Sequence, residues 1–250
     1  MSINNPYKIV GIVAIIVFIS GSCQGQDSTK AAKIATEETI LPISQLQGKY
    51  NAAEDIWENP DTAYEQFIRF DGENLAIFYR TDAGGELGTV GIVDKIGKVI
   101  VQPNYFSTST KPRTGFFEVQ DSQQRVGLIN VSGVEVVPPQ YETIFLDDSL
   151  LAIDSTMIKV AKDGKQGFID RNGKIVVPLK YQLLDIAGKN RIMYMESPQH
   201  WGLMDYNGRI ITAPVFTHSG IFVEGKTVLQ QGDGEAYILY EDGRIDKKYH

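Results

Sequence analysis

The chain has 250 residues, with 24 basic against 31 acidic side chains and a single cysteine. That length supplies one ordinary domain or two small ones, and a net charge of −7 argues against a nucleic-acid or anionic-membrane surface, since no cationic excess is present to neutralise phosphates. One cysteine excludes an internal disulfide framework and a structural zinc site built on thiolates.

In chain order, Met1 to Ser22 hold one side-chain charge, Lys8, ahead of an apolar run from Ile9 to Ile19. Eleven residues of helix reach only about 16 Å, about half of a hydrocarbon core near 30 Å. The run therefore reads as a signal-peptide core and not as a membrane span. Small residues follow, Ser20-Gly21-Ser22, and then Cys23, the only thiol. This resembles the lipobox of bacterial lipoproteins, with Ser20 standing where that pattern has an aliphatic residue. The resemblance implies cleavage before Cys23, which is acylated and becomes the mature N-terminus; the plainer alternative is an ordinary cleaved signal with an incidental cysteine. Acyl chains hold a protein on a bilayer because each buried methylene contributes about 0.8 kcal/mol. The resemblance also implies a cell-envelope protein joined to the membrane by its lipid. Gln24 occupies the position where an Asp retains lipoproteins in the inner membrane, so the outer membrane is favoured, with periplasmic and surface faces both open.

Residues 23–33 are polar and small, without apolar periodicity, and read as a flexible tether. Residues 34–85 read as the N-terminal cap of a repeat array, because terminal repeats must present a polar outer face. Within them Leu41-Pro42 limits any helix. Gln66 to Phe70 and Leu75 to Tyr79 suggest a hairpin around Asp71-Gly72, and Leu75-Ala76-Ile77-Phe78 is open to a second reading as the third strand of an incomplete first copy.

The remainder, residues 86–250, is internally repetitive. Gly91-Ile92-Val93-Asp94-Lys95-Ile96-Gly97 aligns with Gly127-Leu128-Ile129-Asn130-Val131-Ser132-Gly133 and with Gly167-Phe168-Ile169-Asp170-Arg171-Asn172-Gly173. Gly202-Leu203-Met204-Asp205-Tyr206-Asn207-Gly208 keeps the same line, and a degenerate fifth copy begins at Tyr237. The anchors at 91, 127, 167, 202 and 237 lie 36, 40, 35 and 35 residues apart, each with a glycine six residues later. Pro103, Pro139, Pro178 and Pro214 close a second apolar run, and Tyr105, Tyr141, Tyr181 and Phe216 stand fourteen residues after their anchors. A third apolar run precedes the next anchor.

Two runs rich in Val, Ile, Phe and Leu around a tight Asp/Asn-Gly turn are a β-hairpin pattern. Proline has no N–H for a ladder, so it is expected to stop the second strand. The third run supplies another strand. The fold class is accordingly all-β: tandem three-stranded antiparallel β-hairpin repeats, each too small to bury its own face, stacked as an open solenoid or a propeller-like array.

These residues resemble the bacterial WG (KWG) repeat: a Trp-Gly pair, an Asp-x-x-Gly-Lys turn, an aliphatic run ending in Pro, then Tyr. Trp201-Gly202 alone keeps the signature Trp; Val90, Val126 and Gln166 precede the other glycines, and the last copy has Ala236-Tyr237. The resemblance implies an all-β repeat module with no established catalytic activity. It casts Gly91, Gly97, Gly127, Gly133, Gly167, Gly173, Trp201, Gly202, Gly208, Tyr105, Tyr141 and Tyr181 as structural repeat residues.

Chemistry-bearing patterns are absent from the sequence: it has no G-x-S-x-G, H-E-x-x-H, C-x-x-C or G-x-G-x-x-G. The histidines, His200, His218 and His250, have no ligand spacing from one another, and no metal site is expected. Asp94, Asp170 and Asp205 suit hydrogen bonds to their own turn amides better than calcium, because the alternating oxygen ligands and distal Glu are missing. The recurring aromatics suit the gap between units better than a sugar ring. Asp147-Asp148 are neighbours in an extended stretch and point apart. The expectation is a lipid-anchored binding or scaffold module without enzymatic activity or cofactor, with a protein or glycan partner. Two rivals remain: an envelope glycan hydrolase using loop carboxylates, and an inhibitor or immunity-type protein.

Overall fold

The computed structural model describes residues 42–82, 84–146 and 156–248. The signal segment, Cys23, the tether to Lys33, residues 34–41 and the Asp147-Asp148 pair lie outside the described residues.

The described chain is all-β and antiparallel, without an α-helix, and each sheet is a meander of neighbouring strands. The first sheet holds β1 (Lys49–Asn51), β2 (Ile56–Glu58) and β3 (Phe67–Arg69), and the second holds β4 (Leu75–Thr81), β5 (Leu87–Asp94) and β6 (Val99–Tyr105). The third comprises β7 (Ser107–Thr108), β8 (Phe116–Gln120), β9 (Val126–Asn130) and β10 (Glu135–Tyr141). The fourth runs through β11 (Thr143–Phe145), β12 (Met157–Lys162), β13 (Lys165–Asp170) and β14 (Ile175–Tyr181). The fifth has β15 (Leu183–Gly188), β16 (Arg191–Ser197), β17 (His200–Met204) and β18 (Ile210–Phe216), and the sixth β19 (Lys226–Gln230), β20 (Ala236–Tyr240) and β21 (Ile245–Lys247).

Each repeat sheet therefore combines the third run of one sequence copy with the hairpin of the next. Met157–Lys162 pairs with Lys165–Asp170, and Arg191–Ser197 with His200–Met204. A strand missing from the periodic reading completes the four-stranded sheets: β7, β11 and β15 begin just after Tyr105, Tyr141 and Tyr181. Their sequences share no apolar pattern, which is why spacing does not reveal them.

Two expectations are corrected. No hairpin forms across Asp71-Gly72, because β3 belongs to the first sheet while β4 pairs with β5 from Leu75–Asp94 to Thr81–Leu87. Leu75-Ala76-Ile77-Phe78 is thus the third strand of the first repeat sheet, and the Asp71-Gly72 turn, with φ of 51° and 82°, passes the chain between sheets. The prolines do not stop the second strand either. The strand continues through Pro103, Pro139, Pro178 and Pro214 to the next aromatic. It does so on the edge of the sheet, across a register shift where no ladder N–H is required.

The sheets stack face to face, so successive residues of one strand enter different cores. In β13, Phe168 packs with Tyr181, Leu184 and Tyr194, while its neighbour Ile169 packs with Leu128, Ile144 and Val160. In β17, Met204 joins the cluster with Phe168, and Leu203 joins Phe216, Phe222 and Leu239. A strand covered on both faces needs a continuous apolar run, as in Gly-Phe-Ile and Gly-Leu-Met. Each core joins consecutive sheets, and among the described residues none joins the sixth sheet to the first, so the array is open.

Candidate functional site

The anchor glycines and the downstream prolines form one device. A Cβ at Gly91, Gly127, Gly167 or Gly202 would stand 2.5, 2.5, 2.6 or 2.7 Å from the carbonyl oxygen of Val101, Val137, Val177 or Thr212. That carbonyl opens a bulge. Ile92 pairs with Val101, yet Val90, two residues back, pairs with Tyr105, four residues on. Phe168↔Val177 and Gln166↔Tyr181 repeat this, as do Leu203↔Thr212 and Trp201↔Phe216. The extra residues hold the proline, and only glycine lets the bulged backbone approach.

The same register explains the aromatics. The residue before each anchor glycine faces the recurring ring: Val126 faces Tyr141, Gln166 faces Tyr181 and Trp201 faces Phe216. Tyr141, Tyr181, Phe216 and Trp201 are buried between sheets. Tyr105 differs, being half-buried and donating its hydroxyl to Glu135 at 2.7 Å. Burial, and secondly the Glu135 carboxylate, push its phenol well above the usual range.

The turn glycines Gly97, Gly133, Gly173 and Gly208 adopt φ of 79°, 86°, 81° and 76°. A Cβ at Gly173 would lie 2.6 Å from the carbonyl of Val136 in the preceding sheet, so this turn is also a contact between copies. The turn carboxylates close on their own backbone. Asp94 Oδ1 accepts the N–H of Ile96 and Lys98 at 3.0 and 2.9 Å, Asp170 those of Asn172 and Lys174 at 2.8 and 2.9 Å, and Asp205 those of Asn207 and Arg209 at 3.0 and 3.0 Å. Burial opposes ionisation of Asp205, but those amides and the Arg209 guanidinium outweigh it and hold the carboxyl below its ordinary value. Among the described residues no three His, Cys, Asp or Glu side chains are grouped to hold a metal ion. His200 Nδ1 lies 2.8 Å from the Pro198 carbonyl and His218 Nδ1 3.2 Å from Thr217 Oγ1, both exposed; His250 is outside the described residues.

Two features escape sequence reading because both join residues far apart in the chain. The first is a latch between the first two sheets. Lys95 Nζ lies 2.7 Å from Asp55 Oδ1 and over the rings of Tyr50 and Phe70, while Tyr50 donates its hydroxyl to Asp55 and Gly72 N–H donates to Asp55 Oδ2 at 2.5 Å. Lys95 first, then Tyr50 and the Gly72 amide, lower the Asp55 pKa to about 2. The second is the segment 43–46, which bonds to residues 97–99 at the start of β6 through an antiparallel bridge.

The surface carries shallow depressions and exposed aliphatic residues. Depressions of about 470 and 370 Å³ flank the exposed Phe67, and one of about 390 Å³ lies between Ile210, Arg209 and Asp242. Ile175 and Ile210, both eight residues after their anchors, are 52% and 48% exposed, whereas Val99, the counterpart in the first repeat sheet, is 7% exposed. Val99 is covered by Leu46 of the segment 43–46 together with Trp57 of the first sheet, with which it shares a core.

Stacked three- and four-stranded meanders, with a bulge-forming glycine, a proline and a ring in each of four copies, define a tandem β-repeat protein. Residues 127–149, 167–185 and 201–234 match the family model described as the WG containing repeat, which supports the WG repeat family for those copies. No curated protein matches the chain. Among solved structures it is similar to the WD40 β-propeller domain of Doa1, at 9% identity and a TM-score of 0.30, covering 81% of this chain and 71% of that one. It is similar also to virginiamycin B lyase from Staphylococcus aureus, at 14% identity and 0.32, covering 77% and 71%. A third likeness is to a eukaryotic initiation factor, at 10% identity and 0.32, covering 81% of this chain and 57% of that one.

Proposed function

We propose that this protein is a non-catalytic binding or scaffold module of the bacterial cell envelope, held on the membrane by a lipid on Cys23. The observation that carries the reading is the fate of the repeated polar residues. The turn carboxylates, glycines and aromatics that recur from copy to copy are engaged in turns, bulges and inter-sheet packing. Beyond these, the copies present to solvent edge backbone, single charged side chains such as Lys174 and Lys180, and scattered aliphatic side chains such as Ile175, Ile210 and Val215. Those are means of holding another chain, not of breaking a bond.

The anchor and the binding role are tested separately. Mass spectrometry of the mature N-terminus is expected to find an acylated Cys23; a free thiol there, or cleavage elsewhere, overturns the anchor. Capture from envelope extract by the purified protein is expected to recover a defined protein or glycan in saturable amount. Turnover of envelope glycan by the protein alone would overturn the non-catalytic reading.

A further inference from the structure

The start of β6 already carries a short antiparallel segment, bridged at one residue. Leu46 N–H donates to the Gly97 carbonyl at 2.8 Å, Val99 N–H donates to the Ser44 carbonyl at 3.0 Å, and Gln45 stands antiparallel opposite Lys98. The Gln102 side chain clasps the same segment, donating to the Ile43 carbonyl at 2.8 Å and accepting the Ile43 N–H at 2.9 Å.

The start of β14 has the same geometry without the cover. Asp170 N–H donates to the Lys174 carbonyl at 2.8 Å, as Asp94 N–H does to Lys98 at 3.0 Å. This register turns the Ile175 N–H and the Gly173 carbonyl outward, as it turns those of Val99 and Gly97. Among the described residues no backbone from another segment bonds to either group. Lys174 takes the place of Lys98; it is exposed and enters no ion pair among the described residues. Lys180 adds a second exposed cation, and β14 contains no acidic residue. The corresponding edges carry no unpaired cation among the described residues. At β10 the counterpart of Lys174 is Val134, with Glu135 in the place of Ile175 and accepting the Tyr105 hydroxyl, and at β18 Arg209 is tied to Asp205 at 3.0 Å.

We propose that the edge of β14 binds an extended segment of a partner protein as an added antiparallel strand, with an acidic residue opposite Lys174 and an aliphatic residue over Ile175. This deepens the binding-module reading and rests on it. The internal segment 43–46 sets the backbone geometry, and the unpaired cation sets the charge of the occupant. Pro178 and the register shift beside Val177 end the flat stretch, so each partner segment contributes only about four residues at this edge, as 43–46 do.

The probe is a peptide of residues 41–47 carrying Gln45→Glu, with a Gln45→Lys peptide as its opposite, each titrated into the 15N-labelled full chain. The acidic peptide is expected to shift the amides of residues 173–176. Lys174→Glu should weaken it about threefold to fivefold and favour the lysine peptide by a similar factor. Ile175→Pro, which deletes the outward N–H at an exposed position, should abolish the shifts at this edge while leaving amides of the sixth sheet unmoved. Shifts confined to Val99 and Gln102, or a charge-blind response in Lys174→Glu, would overturn the assignment. Self-association that moves the same amides without peptide would assign the edge to a second copy and overturn the partner. Envelope capture that survives both substitutions overturns this edge and leaves the binding reading standing; a protein that captures nothing in any form sinks the reading itself.

Discussion

Alanine at Gly202 would place a methyl group 2.6 Å from the Tyr194 ring and 2.7 Å from the Thr212 carbonyl oxygen, both inside the 3.0 Å that Cβ contacts essentially never breach. Neither neighbour is free to yield. Tyr194 is 1% exposed and donates its hydroxyl to that same carbonyl at 3.3 Å, and Thr212 stands at the bulge between two fixed pairings of β17 with β18. Overpacking of a closed core costs about 1–3 kcal/mol. Main chain is the obstacle here, so the upper end applies, about 3 kcal/mol. For a domain of this size each kcal/mol lowers Tm by about 2–4 °C, giving a fall of about 6–12 °C. Gly208→Ala is the matched control: nothing lies within 4 Å of its Cβ, so only the positive φ of 76° opposes the change, at about 1–2 kcal/mol. Calorimetry gives the two melting points, and amide exchange should localise the damage of Gly202→Ala to β16–β18, because a stacked copy loads chiefly its neighbours. A Gly202→Ala protein that melts no lower than Gly208→Ala would refute the close approach as the reason for the glycine.

The same geometry sets three further outcomes. Tyr181→Ala empties a site between the fourth and fifth sheets where the ring is 2% exposed and meets Tyr194 edge-on at 5.3 Å; urea unfolding should show a loss of about 3–5 kcal/mol. Asp55 titrates at about 2 in the folded protein, so its latch contributes stability at pH above about 4 that is lost as pH falls towards 2; in Asp55→Asn the acid limb of a melting-point profile should flatten over that window. Burial, then Glu196 and Tyr181, push Tyr194 up to about 12, so its contribution is complete below about pH 10 and lost as pH rises towards 12. Tyr194→Phe should make that alkaline limb shallower, with Tyr105 and the other buried phenols supplying the remainder, read by the same profile.

The periodic residues carried much of the fold. Gly-Phe-Ile-Asp-Arg-Asn-Gly announces a strand and a tight turn, because an apolar run and a positive-φ glycine are local requirements satisfied within a few residues. The continuous run also declares a strand with both faces covered, hence stacking. The proline followed by an aromatic ring was visible too, but its meaning was not. Pro178 reads as a stop until Gln166↔Tyr181 and Phe168↔Val177 reveal a bulge on an edge strand. The candidate site was legible only as a set of repeat residues, since an edge is open or covered according to what lies beside it.

By itself the sequence determined that this protein is built from stacked β copies, because turn chemistry and strand burial are written in neighbouring residues. Tertiary structure alone decided where one sheet ends and the next begins, which carboxylate meets Lys95, and which edges stay open. Residues 43–46 cover Val99 across more than fifty positions of chain, and nothing in the local pattern of Val99 and Ile175 distinguishes the buried one from the exposed. Pairing at that distance depends on the path of the whole chain through space, which no short window of residues encodes.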